Sequence, residues 1–327
     1  MSASDRRELI EKCFQKGQRL IMADTQPAYV QHVSQLLQWL LAWDDIENDR
    51  TTQALGLHEQ VSAIVYTKQA GIVAGLEEVQ WLLGQYPNIV FEALCKDGAA
   101  VNTGKTLLTL TLQMAELLFL ERTILNMIGR MSGIASQTAS MVALARQEGC
   151  KALIAGTRKT PWMLLDKKAV YCGGGLTHRL SLGDAILIKD NHLAALQRQL
   201  QANRVEDAIQ KAVELAAASP VSNHFEIEVE NVSQAESAIA AFEAASSATL
   251  RSLTMIVMLD NFSPDNAARF IETIQDQGIY ERILFEASGD ITEATLSHWS
   301  CTGVDVLSMG ALTHSVKNFN VSLAVEN

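Results

Sequence analysis

Leu36, Leu37, Leu40 and Leu41 recur at the spacing of an amphipathic helix, with Trp39 and Trp43 beside them, so roughly the first fifty residues are predicted to be mainly helical. The polar run DDIENDRTT, residues 44–52, ends that segment. Between about 60 and 110 the period shortens: VSAIVYT and GKTLLTLTL read as strands around a helical piece in AGLEEVQWLL, which predicts a small α+β layer. An amphipathic stretch from about Gln113 to Glu148, interrupted near Ser132-Gly133, is predicted to link this layer to a second domain.

Beyond residue 150 the short apolar runs KALIAG, DAILIK, FEIEVE, TMIVMLD, RILFEAS and VDVLSMG recur with helical stretches between many of them. That alternation predicts a parallel sheet of βα units. The runs end in Thr157-Arg158-Lys159, Lys189-Asp190, Glu228 with Glu230, Asp260-Asn261, Glu286 with Ser288-Gly289, and Gly310. In a β/α barrel the C-terminal ends of the strands meet on one face, so these distant residues are expected to form one constellation.

Charge sharpens that expectation. The chain carries 26 Lys and Arg against 37 Asp and Glu, a net charge of -11, which argues against general binding to nucleic acid or an anionic membrane. Yet Arg158, Lys159, His178, Arg179 and Lys189 concentrate cations in one region. Guanidinium groups suit bidentate recognition of carboxylate or phosphate, so a small polyanion is the natural ligand. Glu228 and Asp260 supply hard oxygen suited to Mg²⁺ beside a ligand's phosphates. The glycines of Ser288-Gly289-Asp290 and Ser308-Met309-Gly310 fall between a strand end and a predicted helix, where backbone N–H groups bind phosphate. The run FEIEVE alone reads most simply as a strand with one solvated face, and the glycines at 173–175 as a close-packing signal.

The 327 residues, 48% of them hydrophobic, are enough for about two domains with a large core. No apolar run approaches the length of a membrane span, and MSASDRRELIEK lacks an export signal's apolar region. The five scattered cysteines form no C-x-x-C pair, and a cytoplasmic setting is expected.

The text ELLFLERTILNMIGRMSGIAS, GTRKT, AVYCGGGLTHRLSLGDAILIKDNH, EIEVEN, MLDNF, EASGDI and TGVDVLSMGALTHS resembles the quinolinate phosphoribosyltransferase family, over about residues 44–320. The resemblance implies an α/β fold: an N-terminal α/β sandwich over 1–125 with a helical extension, completed by 312–327, followed by an incomplete α/β barrel over 126–311. It implies an enzyme that joins quinolinate to phosphoribosyl pyrophosphate and gives nicotinate mononucleotide, pyrophosphate and CO2. The alternative is the same scaffold acting on another pyridine or heteroaromatic acid.

By position, the resemblance assigns Arg122, Arg158, His178, Arg179 and Lys189 to the pyridine dicarboxylate, with Arg122 supplied by a second subunit of at least a homodimer. Lys159 would face the sugar diphosphate. Glu228 and Asp260 would serve the Mg²⁺ complex, through water, and Ser288, Gly289 and Gly310 would hold the 5′-phosphate. Asp44, Asp45 and Asp49-Arg50-Thr51-Thr52 loosely match the family's entry motif, and residues 1 to about 25 are an extension. One loop departs from the family's TRKT-x-PGLR: here Trp162 and Met163 follow Pro161. Trp162 is expected either to pack over the pyridine ring or to anchor a shortened loop.

Overall fold

The structure, a computed structural model, describes residues 2–23, 25–44, 49–247 and 252–326. Asp45 of the entry motif lies outside the described residues. Along the chain come α1 (Ala3–Phe14), α2 (Pro27–Trp43), α3 (Arg50–Leu55), β1 (Gln60–Thr67), β2 (Gly71–Ile72), α4 (Leu76–Leu83), β3 (Val90–Ala93), β4 (Ala100–Val101), β5 (Thr106–Gln113) and α5 (Met114–Gln147). There follow β6 (Leu153–Gly156), α6 (Leu164–Cys172), β7 (Ile186–Ile188), α7 (Asp190–Leu200), α8 (Val205–Ala218), β8 (His224–Val229), α9 (Val232–Ser247), β9 (Thr254–Asp260) and α10 (Pro264–Gln275). The last elements are β10 (Ile283–Ser288), β11 (Val306–Met309), α11 (Ala311–His314) and β12 (Val321–Val325).

These elements form two compact units, each discontinuous in sequence. One, the sandwich unit, comprises Lys16–Ser140, Lys159–Gly175 and Leu312–Asn327; the other, the barrel unit, comprises Met1–Gln15, Met141–Arg158 and Leu176–Ala311. This division differs from the expected boundaries at 125 and 126. The N-terminal helix belongs to the barrel unit, because Ile10, Cys13 and Phe14 are buried with Ala155, Leu176, Ile256, Leu284 and Val306. Residues 126–140 and 159–175 belong to the sandwich unit, where Arg130 grips Asp166 through Nε and Nη2 at 2.8 and 2.7 Å.

The sandwich unit is built on an antiparallel sheet in the order β12-β1-β5-β3. Alternation in β1 buries Ala63, Val65 and Thr67 on one face, and Val321 to Val325 pair antiparallel with Thr67 to Ala63. Helix α3 starts where the side chain of Asp49 accepts from the amides of Thr51 and Thr52, and ends at Gly56 with φ 62°. Helix α2 buries Tyr29, Val33 and Leu37, so of the four leucines at helical spacing Leu37 is the buried one, while Trp39 and Trp43 beside them are 63% and 80% exposed.

The interruption expected at Ser132-Gly133 is absent: α5 is one helix of 34 residues. Ser132 uses its hydroxyl to accept from the amide of Ala74 and donate to its carbonyl. Gly133 is a point of close approach, since a Cβ there would stand 2.4 Å from the Lys317 carbonyl oxygen. Among the described residues, no helix is long and apolar enough to cross a membrane.

A buried ionic cluster ties α2, α4 and α6 together. The Lys168 ammonium lies 2.6 Å from Glu77, 2.7 Å from Glu78 and 3.3 Å from Asp97, and the Tyr29 hydroxyl donates to Glu78 at 2.6 Å. Burial works against the ammonium, but Glu78, then Asp97 and Glu77, outweigh it and hold Lys168 above its ordinary 10.5. Burial also pushes Tyr29 well above 10.0, and Glu78 adds to that shift. Glu78 itself is raised above 4.5, by burial first.

The barrel unit holds a six-stranded sheet in the order β6-β11-β10-β9-β8-β7, parallel at every pairing. Leu176 bridges to Ala155 in parallel, so the ring is interrupted between Leu176 and β7. One face of the strands meets the surrounding helices: Phe225 packs edge-on to Phe242 of α9, and Phe285 to Phe270 of α10. The other face is inward. It carries Ile256, Leu284 and Val306 near the strand starts, Glu226, Glu286 and Ser308 further along, and Glu228, Asp260 and Ser288 at or near the ends.

Candidate active site

The C-terminal ends of the barrel strands bring most of the predicted residues to one rim. Arg158 follows β6, Arg179 follows the Leu176 bridge, Lys189 follows β7, Glu228 lies in β8, Asp260 ends β9, Ser288 ends β10 and Gly310 follows β11. Arg122 and Lys159 belong to the sandwich unit. There the exposed Arg122 guanidinium on α5 pairs with its neighbour Glu121 at 2.5 Å, and the Lys159 carbonyl accepts from the Thr313 hydroxyl at 2.9 Å.

Two cations define one side of the rim. Burial, then the repulsion of Arg158, lowers Arg179 from its ordinary value, with Glu226 and Asp184 acting in the opposite sense. Two guanidinium groups held close enough to repel form a site that gains from a dianion. Asp184 shapes the loop by accepting from the Leu180 amide at 2.6 Å, and the Arg179 guanidinium donates to the Ala185 carbonyl at 3.4 Å. Lys189 caps the start of α7 and donates to Glu228 of the neighbouring strand.

The carboxylates follow. Asp260 accepts from the Ser288 hydroxyl at 2.5 Å and from the side-chain amide of Asn261 at 2.9 Å. In register, Asp260 and Ser288 are direct partners on β9 and β10. Asn261 has φ 55°, and its amide donates to the Ser288 carbonyl at 3.0 Å. Gly289 completes the corner with φ 95°. A Cβ on it would meet Asn261 Oδ1 at 2.1 Å, so this turn requires glycine on both conformational and spatial grounds. Glu228 and Asp260 are hard oxygen donors on adjacent strand ends, the donor set that suits Mg²⁺ bound partly by a ligand's phosphates.

His178 differs from the other predicted ligands. It is buried, and both ring nitrogens are engaged by the protein. Nδ1 accepts from the Arg179 amide at 2.7 Å, and Nε2 lies 3.3 Å from both Glu226 and Glu286. Burial disfavours a charged ring here, but Glu226 and then Glu286 outweigh it, and His178 is pushed up to about 9. The Arg179 amide opposes this, because a second ring proton would have to displace it from Nδ1. Burial pushes Glu226 above its ordinary 4.5, and neighbouring Glu286 adds to the push. Ligand atoms of His178, Glu226 and Glu286 lie within 4.8 Å of one another. His178 Nε2 already faces both carboxylates of this group, whereas Glu228 and Asp260 lie at the strand ends.

Glu226 is not among the expected site residues, while Glu286, and Ser308, which donates to it, are expected only as members of strand-end runs and without a role of their own. The polar face of FEIEVE, expected to be solvated, is the barrel interior, and Glu226 is 3% exposed. The signal was the shared parity of Glu226 and Glu228, which puts both on one side of a strand. Trp162 lies in the sandwich unit with its ring 5.4 Å from the Arg130 guanidinium, an anchor for the shortened loop.

The family model described as "Quinolinate phosphoribosyl transferase, N-terminal domain" matches residues 49–132, and that for the "C-terminal domain" matches 134–324. The chain is 34% identical over 269 residues to a probable nicotinate-nucleotide pyrophosphorylase (carboxylating) from Archaeoglobus fulgidus, covering 82% of this chain and 95% of the relative. It is 34% identical over 281 residues to the nicotinate-nucleotide pyrophosphorylase (carboxylating) of Mycobacterium leprae, covering 84% and 90%. Among solved structures, the nicotinate-nucleotide pyrophosphorylase from Francisella tularensis matches with a TM-score of 0.74 and 31% identity, over 90% of this chain and 96% of that one.

Proposed function

Because the chain belongs to the quinolinate phosphoribosyltransferase family, we propose that it converts quinolinate and phosphoribosyl pyrophosphate to nicotinate mononucleotide, pyrophosphate and CO2, a step of NAD biosynthesis. The observation that carries this reading is the barrel rim, where Arg158 and Arg179 follow adjacent barrel segments within electrostatic reach of each other, and Asp260, Ser288 and Gly289 form a separate carboxylate-and-glycine corner. A dicarboxylate suits the first subsite, and a sugar phosphate suits the second.

In this reading Arg158, Arg179 and Lys189 orient the pyridine so that its ring nitrogen faces the anomeric carbon of the sugar. Lys189 would give up part of its contact with Glu228 to reach a substrate carboxylate. Glu228, thus released, would favour the oxocarbenium-like sugar as pyrophosphate departs. Glu228 and Asp260 would hold Mg²⁺ through water, and when bound the ion supplies charge neutralisation for the diphosphate. Lys159 would add a positive charge to that leaving group. Ser288, Gly289 and Gly310 would hold the 5′-phosphate by hydroxyl and amide donors. Once ribosylated, the pyridinium charge stabilises the electron pair left on the ring carbon as the adjacent carboxylate leaves as CO2, and that carbon then takes up a proton from water, so the protein's task in that step is to orient the ring.

The exposed Arg122 would complete the dicarboxylate site of a second subunit in at least a homodimer, and the enzyme would work in the cytoplasm. The test is turnover of quinolinate with phosphoribosyl pyrophosphate and Mg²⁺, following CO2 and nicotinate mononucleotide, with nicotinate as a parallel substrate. Both products from quinolinate alone are expected. Turnover of nicotinate but not quinolinate would overturn the acceptor assignment.

A further inference from the structure

Helix α1 precedes every residue used above, yet it is built into the barrel unit. A capping box between Ser2 and Asp5 starts it. Arg6 then locks it down: Nε and Nη2 bind the two oxygens of Asp305 at 2.6 and 2.7 Å, Nη2 donates to the Ile283 carbonyl at 3.1 Å, and the guanidinium lies 4.1 Å from the Tyr280 ring centroid. Asp305 also accepts from the Phe285 amide at 2.8 Å, so the anchor reaches the backbone of β10. Ile10, Cys13 and Phe14 cover the inward residues Ile256, Leu284 and Val306 near the strand starts.

The far end of α1 meets the rim motif from below. Phe14 is 1% exposed, and its ring stands edge-on to His178 with centroids 5.2 Å apart and planes at 78°. The Phe14 carbonyl accepts from the Thr177 hydroxyl at 3.1 Å. His178 has φ 56°, a left-handed conformation that is unfavourable for a non-glycine residue and persists only where surroundings enforce it. Four contacts do so here: the Arg179 amide on Nδ1, Glu226 and Glu286 on Nε2, and Phe14 against the ring.

We propose that Phe14, carried by the anchored helix α1, is a positioning residue of the acceptor pocket: together with Glu226 and Glu286 it fixes the His178 ring, and the ring fixes the backbone from which Arg179 reaches the substrate. With both nitrogens engaged by the protein, His178 acts through Arg179. This rests on the reading that Arg179 binds quinolinate.

The experiment uses the full-length enzyme with Phe14→Ala and Phe14→Leu, and Arg6→Ala to loosen the anchor. Steady-state kinetics give the KM for each substrate. Spectra of ¹⁵N-histidine-labelled protein without substrate, with the His178 signals assigned by their loss in His178→Gln, report its tautomer and motion. Phe14→Ala is expected to raise the KM for quinolinate up to about tenfold, the scale of one aromatic edge contact, with the KM for phosphoribosyl pyrophosphate unchanged. Its His178 nitrogen signals should shift toward averaged values, and Phe14→Leu and Arg6→Ala should fall between it and wild type. The proposal is overturned if the His178 signals of Phe14→Ala match wild type, or if both KM values are unchanged or rise together. Should the wild-type enzyme fail to use quinolinate, the functional reading falls, while the spectra still decide whether α1 holds His178.

Discussion

Replacing Lys168 by methionine removes the cation from the cluster that joins α2, α4 and α6 while leaving similar bulk. Glu78 is 0% exposed, and Asp97, at 5%, already accepts from the Leu76 amide, so neither carboxylate can turn to water. Breaking a buried ion pair from one side typically costs about 3–5 kcal/mol. A second route gives a similar figure, because the stranded Glu78 can escape by taking up a proton. For a carboxyl with an ordinary value of 4.5, neutralisation at pH 7 costs about 3.4 kcal/mol, at about 1.4 kcal/mol per pH unit. The penalty should therefore be about 3 kcal/mol at pH 7 and shrink by about 1.4 kcal/mol for each unit the pH is lowered toward 4.5. Urea denaturation of both proteins at several pH values between 5 and 7.5 measures it. A deficit below about 1 kcal/mol at pH 7, or one independent of pH, would refute the view that Lys168 neutralises buried charge.

Other outcomes follow from the same geometry. Lys168 and Tyr29 are both held above their ordinary values, so their contribution is complete below about pH 10 and is lost as pH rises beyond it. Tyr29→Phe should make the alkaline fall in stability shallower by up to about 1.4 kcal/mol per pH unit, and an unchanged slope would contradict the assignment. Arg158→Ala and Arg179→Ala should each lower kcat/KM for quinolinate by about a hundredfold, a few kcal/mol, with phosphoribosyl pyrophosphate binding nearly intact by calorimetry. Equal losses for both ligands would sink the subsite division. Glu228→Ala and Asp260→Ala should lose turnover and its Mg²⁺ dependence while still binding the dicarboxylate, and unchanged turnover in both would remove the metal role. Gly289→Ala drives a methyl into Asn261 and strains the backbone by about 1–3 kcal/mol, so the KM for phosphoribosyl pyrophosphate should rise.

How much of this was legible in the sequence depended on the range of the determining interaction. The parallel sheet was visible because TMIVMLD and RILFEAS carry their own period and end in polar residues, a local signal that the fold converts into a rim. The buried role of Glu226 was half visible. Its parity with Glu228 was on the page, but burial of the polar face depends on closure of the sheet around it. Gly133 looked like a helix break because glycine weakens helices locally, whereas its cause is the backbone of Lys317 passing close by. Arg122 and Lys159 are motif residues whose setting depends on more than their own segments. The contact of Phe14 with His178 left no local trace, since nothing in CFQKG announces a partner so far along the chain.

Strand β12 pairs with β1, and α1 is locked to Asp305, so each compact unit needs both an early and a late piece of the chain. During synthesis the β1 edge stays open until β12 emerges, and Arg6 waits for Asp305. An unpaired edge attracts other chains. A ribosome stalled near residue 300 therefore holds two unfinished bodies, one with an open strand edge and one with an unanchored helix.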